Sequence, residues 1–360
     1  MIWTADSACD GAELKTILSK RLHLTNNIIT RLKHRQDGML INGRKAISTD
    51  IVHAGDVISA AISRVTTYDP ASKSIWALPA DGVRNLPVLY EDPDLIFLNK
   101  PGGIVMHPSH GHYNDSCANF VAYHLGISRG GIYPVGRLDR DTSGLVCFAK
   151  HVDASGMMAV EQQENIYKKT YICLVSGLIN KDGAVDAPIG IDPASAYPDG
   201  SPRVSGTTPR RMVKDISSGG RPAVTRYHVL GHAEIEIRSK SSADSRDVTL
   251  LQISITHGRT HQIRVHMSYI GHPIFGDILY SSDDPEQIIR LSDNDPAFLS
   301  AFRADYSEIP EIHDTFLRTG LCLHAYRADL IQPFTREKLE VTAPVILHTS
   351  TGTSFSLSLS

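Results

Sequence analysis

The chain has 360 residues, 41% of them apolar and 21% charged, with a formal net charge of -3. That length exceeds one average domain of about 150 residues, so two domains are expected, and the composition excludes a disordered chain while supplying enough apolar surface to fold without metal or disulfide staples. The scattered cysteines Cys9, Cys117, Cys147, Cys173 and Cys322 form no C-x-x-C pair, as expected of reduced thiols in a cytoplasmic protein, and no run reaches the roughly 18 apolar residues of a membrane-spanning helix.

In the first sixty residues Leu14, Ile17, Leu18 and Leu22 fall at helical spacing, and Ile28, Ile29 and Leu32 do so again after the polar break Thr25-Asn26-Asn27. This predicts two short helices joined by a turn. Met39-Leu40-Ile41 reads as a strand entering an Asn42-Gly43 turn, and Val52 to Ile58 carries a second turn signal at Gly55-Asp56. The net charge hides an uneven distribution, because residues 1 to 65 are locally basic while 283 to 314 hold many acids opposed only by Arg290 and Arg303. In the basic unit Arg31, Lys33, Arg35, Arg44 and Lys45 crowd the second helix and the turn, where they could track a phosphate backbone. The unit resembles an S4 RNA-binding domain over residues 1–65. Residues 66–86 are polar and broken by Pro and Gly, and are read as a linker.

From residue 87 the pattern changes. Apolar runs at Leu95–Leu98, Leu145–Phe148, Tyr171–Val175 and the alternating Leu251–Ile255 have strand length and β-branched or aromatic content. Helices are predicted at 116–124, at 155–165 and from Thr260 onward, with Thr260 as N-cap. The fold class expected is α+β: a mixed, mainly antiparallel sheet domain over 87–346, preceded by the small αβ unit and followed by a flexible tail at 347–360.

Two arrangements could carry chemistry. His107, His110 and His112 share one loop, and His257 and His261 stand at the i, i+4 spacing of helical metal ligands. Gly258 between the latter pair and the absence of a neighbouring Glu as general base argue against a metal hydrolase. The second arrangement is an ordered set of separated segments: Asn99-Lys100-Pro101-Gly102-Gly103 leading to His107-Pro108, then Gly136-Arg137-Leu138-Asp139-Arg140-Asp141-Thr142-Ser143-Gly144-Leu145. Lys169 to Gly177, Gly258-Arg259-Thr260-His261-Gln262-Ile263-Arg264-Val265-His266, Gly271 to Asp277 and Leu323-His324-Ala325 follow. The set resembles the RluA-like branch of the ribosomal and transfer RNA pseudouridine synthases, over roughly residues 86 to 345.

That resemblance implies a fold of pseudouridine synthase type and isomerisation of uridine in structured RNA, ribosomal RNA favoured and transfer RNA possible. It implies Asp139 as catalytic carboxylate, an ion pair between Arg264 and Asp139, Tyr171 stacking on the target base and Arg137 filling the gap left by the flipped nucleotide. Arg259 and His261 are expected on the substrate wall. The reaction breaks N1–C1′, turns the base and rejoins it through C5 with no redox change, so no cofactor and no metal is expected, and Asp139 could attack C1′ or take a ribose proton. A monomer is expected. Gly136 stands where this branch mostly has histidine and a sister branch has glycine. A binding protein that had only kept the fold would not need Asp139, Tyr171 and Arg264 together.

Overall fold

The computed structural model describes residues 1–62, 78–109, 111–127, 131–197, 199–203, 208–238, 243–281, 288–291, 302–303, 321–348 and 354–357. The N-terminal unit is built on the two predicted helices, α1 (Leu14–Lys20) and α2 (Asn26–Lys33), which bury Leu14, Ile17 and Leu18 and then Ile28, Ile29 and Leu32. Thr25 Oγ1 accepts the Ile28 N–H at 3.3 Å and so starts α2. Around them run β1 (Ile2–Thr4), β2 (Ala12–Glu13), β3 (Met39–Ile41), β4 (Arg44–Lys45), β5 (Ile51–Val52) and β6 (Val57–Ala60), as one sheet of order β1-β6-β3-β4 and a separate β2-β5 pair. Asn42 and Gly43 join β3 to β4 with φ of 51° and 76°, the left-handed pair that a tight two-residue hairpin turn requires.

The second unit is assembled from β7 (Val88–Glu91), β8 (Leu95–Lys100), α3 (Cys117–His124), β9 (Tyr133–Val135), β10 (Ser143–Ala149), α4 (Val152–Gln163), β11 (Lys168–Ser176), β12 (Gly183–Asp186), β13 (Ile189–Ile191) and β14 (Arg211–Val213). The chain continues through β15 (Val224–Arg238), β16 (Ala243–Thr256), α5 (Gln262–Tyr269), β17 (Ile288–Leu291), β18 (Phe302–Arg303), β19 (Leu323–Ile331), β20 (Lys338–Thr342), β21 (Ile346–His348) and β22 (Ser354–Leu357). The main sheet runs β12-β15-β16-β11-β19-β10-β8-β7, with β17, β20 and β9 attached beside it. Its pairings are antiparallel except β10 with β19, so the mixed, mainly antiparallel α+β expectation holds. Strands β8 and β10 are buried along their whole length, which is why they read as unbroken apolar runs.

One register row across this sheet makes room for a site. Lys100 pairs with Gly144, Gly144 with Ala325, and Ala325 with Tyr171, and directly paired residues share a face. Two small residues therefore lie between a lysine and a tyrosine. Gly144 is obligatory there, since its φ is +106° and an added Cβ would sit 2.3 Å from the Ala325 carbonyl oxygen.

Local differences from expectation have physical causes. Helix α4 starts at Val152, because His151 Nδ1 accepts the Ala154 N–H at 3.3 Å. At α5 the N-cap is His261, with φ of 58°, rather than Thr260. The described end of the segment read as a linker forms a short turn at Asp81–Val83 and buries Val83 and Leu86, while residues 66–77 lie outside the described residues, as does most of the acidic stretch. Within the segment read as a tail, β22 pairs with β21 and β18.

The N-terminal unit rests on α4. Arg31 forms an ion pair with Asp153, His23 Nδ1 lies 3.1 Å from Glu164, and a Cβ added at Gly156 would lie 3.2 Å from the Thr25 methyl group.

Candidate active site

The loop from β9 to β10 carries Arg137 and Asp139. It opens with Gly136 at φ +73°, where an added Cβ would lie 2.8 Å from the Gln162 side-chain nitrogen, so a left-handed residue without a side chain fits the turn. Leu138 is buried and anchors the loop, leaving Arg137 exposed and Asp139 half-buried. Neither side chain has a hydrogen bond or ion pair among the described residues. Beneath the loop, fully buried Lys100 donates to the carbonyls of Arg140 at 2.7 Å and Pro101 at 3.0 Å. Burial pushes its pKa down to about 8, against the opposing pull of Cys117, Asp141 and Asp139. Tyr171 on β11 is 6% exposed, and burial followed by the Asp139 charge pushes its hydroxyl pKa up.

The opposite wall is the turn from β16 into α5, where His257, Gly258 and His261 have φ of 80°, 45° and 58°. Left-handed non-glycine residues concentrated in one turn are a mark of functional sites. Gln262 holds the turn: its Oε1 accepts the Arg259 N–H at 2.8 Å, and its Nε2 donates to the carbonyls of Val224 at 2.9 Å and Thr256 at 3.2 Å. Arg259 Nε donates to the Pro222 carbonyl at 3.1 Å. His261 is buried, its Nδ1 is 2.9 Å from the Tyr280 hydroxyl, and burial lowers its pKa.

Arg264 corrects one expectation. Its ion pair is with Asp277 and not with Asp139: Nε reaches Oδ2 and Nη2 reaches Oδ1, both at 2.7 Å, with side-chain exposures of 3% and 0%. Asp277 is held for this role by its own turn, since Oδ1 also accepts the N–H groups of Leu279 at 3.0 Å and Tyr280 at 3.2 Å. Asp139 lines the same cleft and forms no ion pair with Arg264 among the described residues, but lies within its electrostatic reach. Burial alone would lower the Arg264 pKa; Asp277 first and Asp139 second turn the balance upward.

Arg137, Asp139, Tyr171, Arg259, His261 and Arg264 thus line one cleft of about 60 Å³, floored in part by Thr142 and Leu323. Arg31, Lys33, Arg35 and Arg44 lie elsewhere, all exposed on the N-terminal unit. Arg31 is engaged with Asp153, and Arg35 Nη1 donates to the Ala61 carbonyl at 3.0 Å. Sequence reasoning gave no role to Asp277, Tyr280 or Lys100. Asp277 was visible only as the residue after a glycine in a matching segment.

The histidines do not converge. His107 and His257 are exposed, His112 Nδ1 lies 2.6 Å from Asp115, His266 is buried against Thr225 and Ala187, and His110 lies outside the described residues. Among the described residues no group of three His, Cys, Asp or Glu side chains could hold a metal, and no helix is long and apolar enough to cross a membrane.

The RNA pseudouridylate synthase family model matches residues 94–269, which contain every cleft residue named above except Leu323, and leave out Asp277 and Tyr280 behind it. The chain is 38% identical over 215 residues to ribosomal large subunit pseudouridine synthase D of Nitrosomonas europaea, a match covering 57% of this chain and 54% of that protein, so it spans little more than half of that relative's length. It is 33% identical over 275 residues to the uncharacterized RNA pseudouridine synthase YhcT of Bacillus subtilis (strain 168), covering 75% of this chain and 79% of that protein. Among solved structures, Human RNA Pseudouridylate Synthase Domain Containing 1 shares the fold, with a TM-score of 0.50 at 20% identity over 79% of this chain and 94% of that one. The chain belongs to the RNA pseudouridine synthase family, in its RluA/RluD-like branch, and is an isomerase acting on RNA.

Proposed function

We propose that this enzyme isomerises specific uridines of structured ribosomal RNA, with Asp139 as the carboxylate that acts on the ribose. The observation that carries this reading is Asp139 itself: half-buried in the cleft and without a bond of its own, yet within the field of Arg264, Lys100 and His261. A carboxylate so placed keeps its lone pairs available, either for C1′ or for a ribose proton. Tyr171 would pack against the base, a contact worth about 1 to 3 kcal/mol. Exposed Arg137, unpartnered among the described residues, would replace the stacking lost when the uridine leaves its helix. The N-terminal unit, read as S4-like, would hold the surrounding RNA through Lys33 and Arg44.

The preference for ribosomal RNA rests on the relatives named as ribosomal large subunit enzymes. Pseudouridine maps of cellular RNA, with and without the gene for this chain, test it. Loss at one or a few large-subunit positions is expected. An unchanged ribosomal map with a lost transfer RNA position would move the substrate to transfer RNA.

A further inference from the structure

Helix α4 touches both working parts of the molecule. Its first turn carries Asp153, which is 2% exposed and ion-paired with Arg31 of α2. One turn on, the absence of a side chain at Gly156 lets Thr25, at the start of α2, lie against the helix backbone. Just past the end of α4, Glu164 meets the buried His23, which stands between α1 and α2 at φ of 53°, a left-handed backbone uncommon for a residue other than glycine. At roughly 3.6 residues per turn, Asp153, Gly156 and Glu164 fall on one side of the helix and Gln162 on the other. Gln162 lies at the base of the loop that carries Asp139, its side-chain nitrogen 2.8 Å from where a Cβ on Gly136 would be. The buried apolar side chains of the two units belong to one continuous cluster, which runs from Leu14, Ile17 and Ile28 into Leu95, Val146 and Met157. Units joined through a shared apolar core move as one body, unlike units tethered by a linker alone.

We propose that the N-terminal unit and the cleft form one rigid RNA-binding platform with α4 as its spacer, and that Asp153 and Gly156 set the distance at which the enzyme accepts a target uridine. This deepens the reading of the N-terminal unit as an RNA holder and rests on it. From Asp153 to Gln162 the helix rises about 13 Å, held by its own backbone hydrogen bonds. RNA gripped by Lys33 and Arg44 therefore meets Asp139 at a separation the protein has already fixed. Only an RNA whose fold offers a uridine at that separation gains from both contacts. On a rigid body the second contact costs little further freedom, and that gain falls away when the joint swings. The preferred substrate is thus a uridine within a large folded RNA, because the same uridine in an isolated stem-loop reaches the cleft alone.

The test compares kcat/KM for tritium release from two C5-labelled substrates, a large-subunit ribosomal RNA transcript and a short stem-loop cut from it around the uridine that is modified. Leucine forms helix better than glycine, so Gly156→Leu keeps α4 intact while wedging Thr25 away from it. It is expected to lower kcat/KM on the transcript about tenfold and to leave the stem-loop value within about twofold of the parent. An unchanged value on the transcript would overturn the proposal. So would equal losses on both substrates, since they would place the effect at the catalytic loop. Should Gly156→Leu fail to fold, Asp153→Asn decides: it keeps the side-chain shape and weakens the pair with Arg31. A loss of about threefold confined to the transcript is then expected, an absent or unconfined loss overturning the proposal. A Lys33→Ala, Arg44→Ala double variant runs alongside. If it binds the transcript as the parent does, the N-terminal unit holds no RNA and the underlying reading fails; if it loses affinity while Gly156→Leu matches the parent, only the present inference fails.

Discussion

Two arginines, Arg264 in the cleft and Arg31 on the N-terminal unit, each pair with a buried carboxylate, and the difference between the pairs separates the two halves of the molecule. Arg264 is 3% exposed and bound to Asp277 through two nitrogens, whereas Arg31 is 48% exposed and meets Asp153, itself 3% exposed, through one. In the cleft the carboxylate is the fixed part, held by its own turn, and it sets where the arginine's charge falls. On the N-terminal unit the carboxylate is the dependent part: Asp153 would be buried alone without Arg31. The first pair lies beside the cleft, and the second joins the N-terminal unit to α4. It follows that Arg31, although it sits in a basic cluster, is not a free cation for RNA, while Lys33 and Arg44 are exposed and bear no ion pair among the described residues.

Substitutions can break this contrast. Arg264→Ala leaves Asp277 charged and sealed from water, and a loss of about 3 to 5 kcal/mol in denaturant unfolding is expected; a loss under about 1 kcal/mol would mean that the pair does not organise the cleft. Arg31→Ala is expected to cost less, about 1 to 3 kcal/mol, with the N-terminal unit exchanging amide hydrogens faster at the face that meets α4. A third substitution sharpens the picture of α4 itself. Glu161 is fully buried beside Arg336 at 3.4 Å, and burial raises its pKa to about 7. Its folded pKa lies above the ordinary value, so the stability it contributes when protonated is full below about pH 4.5 and is lost as pH rises through about 7. Glu161→Gln should therefore gain about 1 to 3 kcal/mol on the parent between pH 5 and pH 8, read as the change in unfolding free energy across that range; a constant difference would contradict it. Lys33→Ala and Arg44→Ala should leave unfolding unchanged, within about 0.5 kcal/mol. Each should lower the salt slope of RNA binding by about 1.

Much of this was legible in sequence for a simple reason. Strands β8, β10 and β11 are buried and short, so Leu95–Leu98, Leu145–Phe148 and Tyr171–Val175 announce themselves by apolar content alone, and Arg137, Asp139, Tyr171, Arg259, His261 and Arg264 do share one cleft. What failed was anything that depends on distance. The resemblance pointed Arg264 at Asp139, but only the fold brings Asp277 nearer, through a turn thirteen residues on. Thr260 looked like a cap because threonine favours that position, and the left-handed backbone of His261 displaced it. The basic residues of the N-terminal unit gave no sign that Arg31 would be claimed by Asp153, 122 residues away.

The central claim is that Asp139 performs the chemistry while the rest of the cleft and the N-terminal unit place RNA around it. Single-turnover tritium release from C5-labelled uridine in RNA, comparing the parent with Asp139→Asn, tests it most directly, because forming the new bond from C5 to C1′ expels that hydrogen. No release above background, with RNA affinity within about twofold of the parent, is the result expected. Release at the parental rate would contradict it.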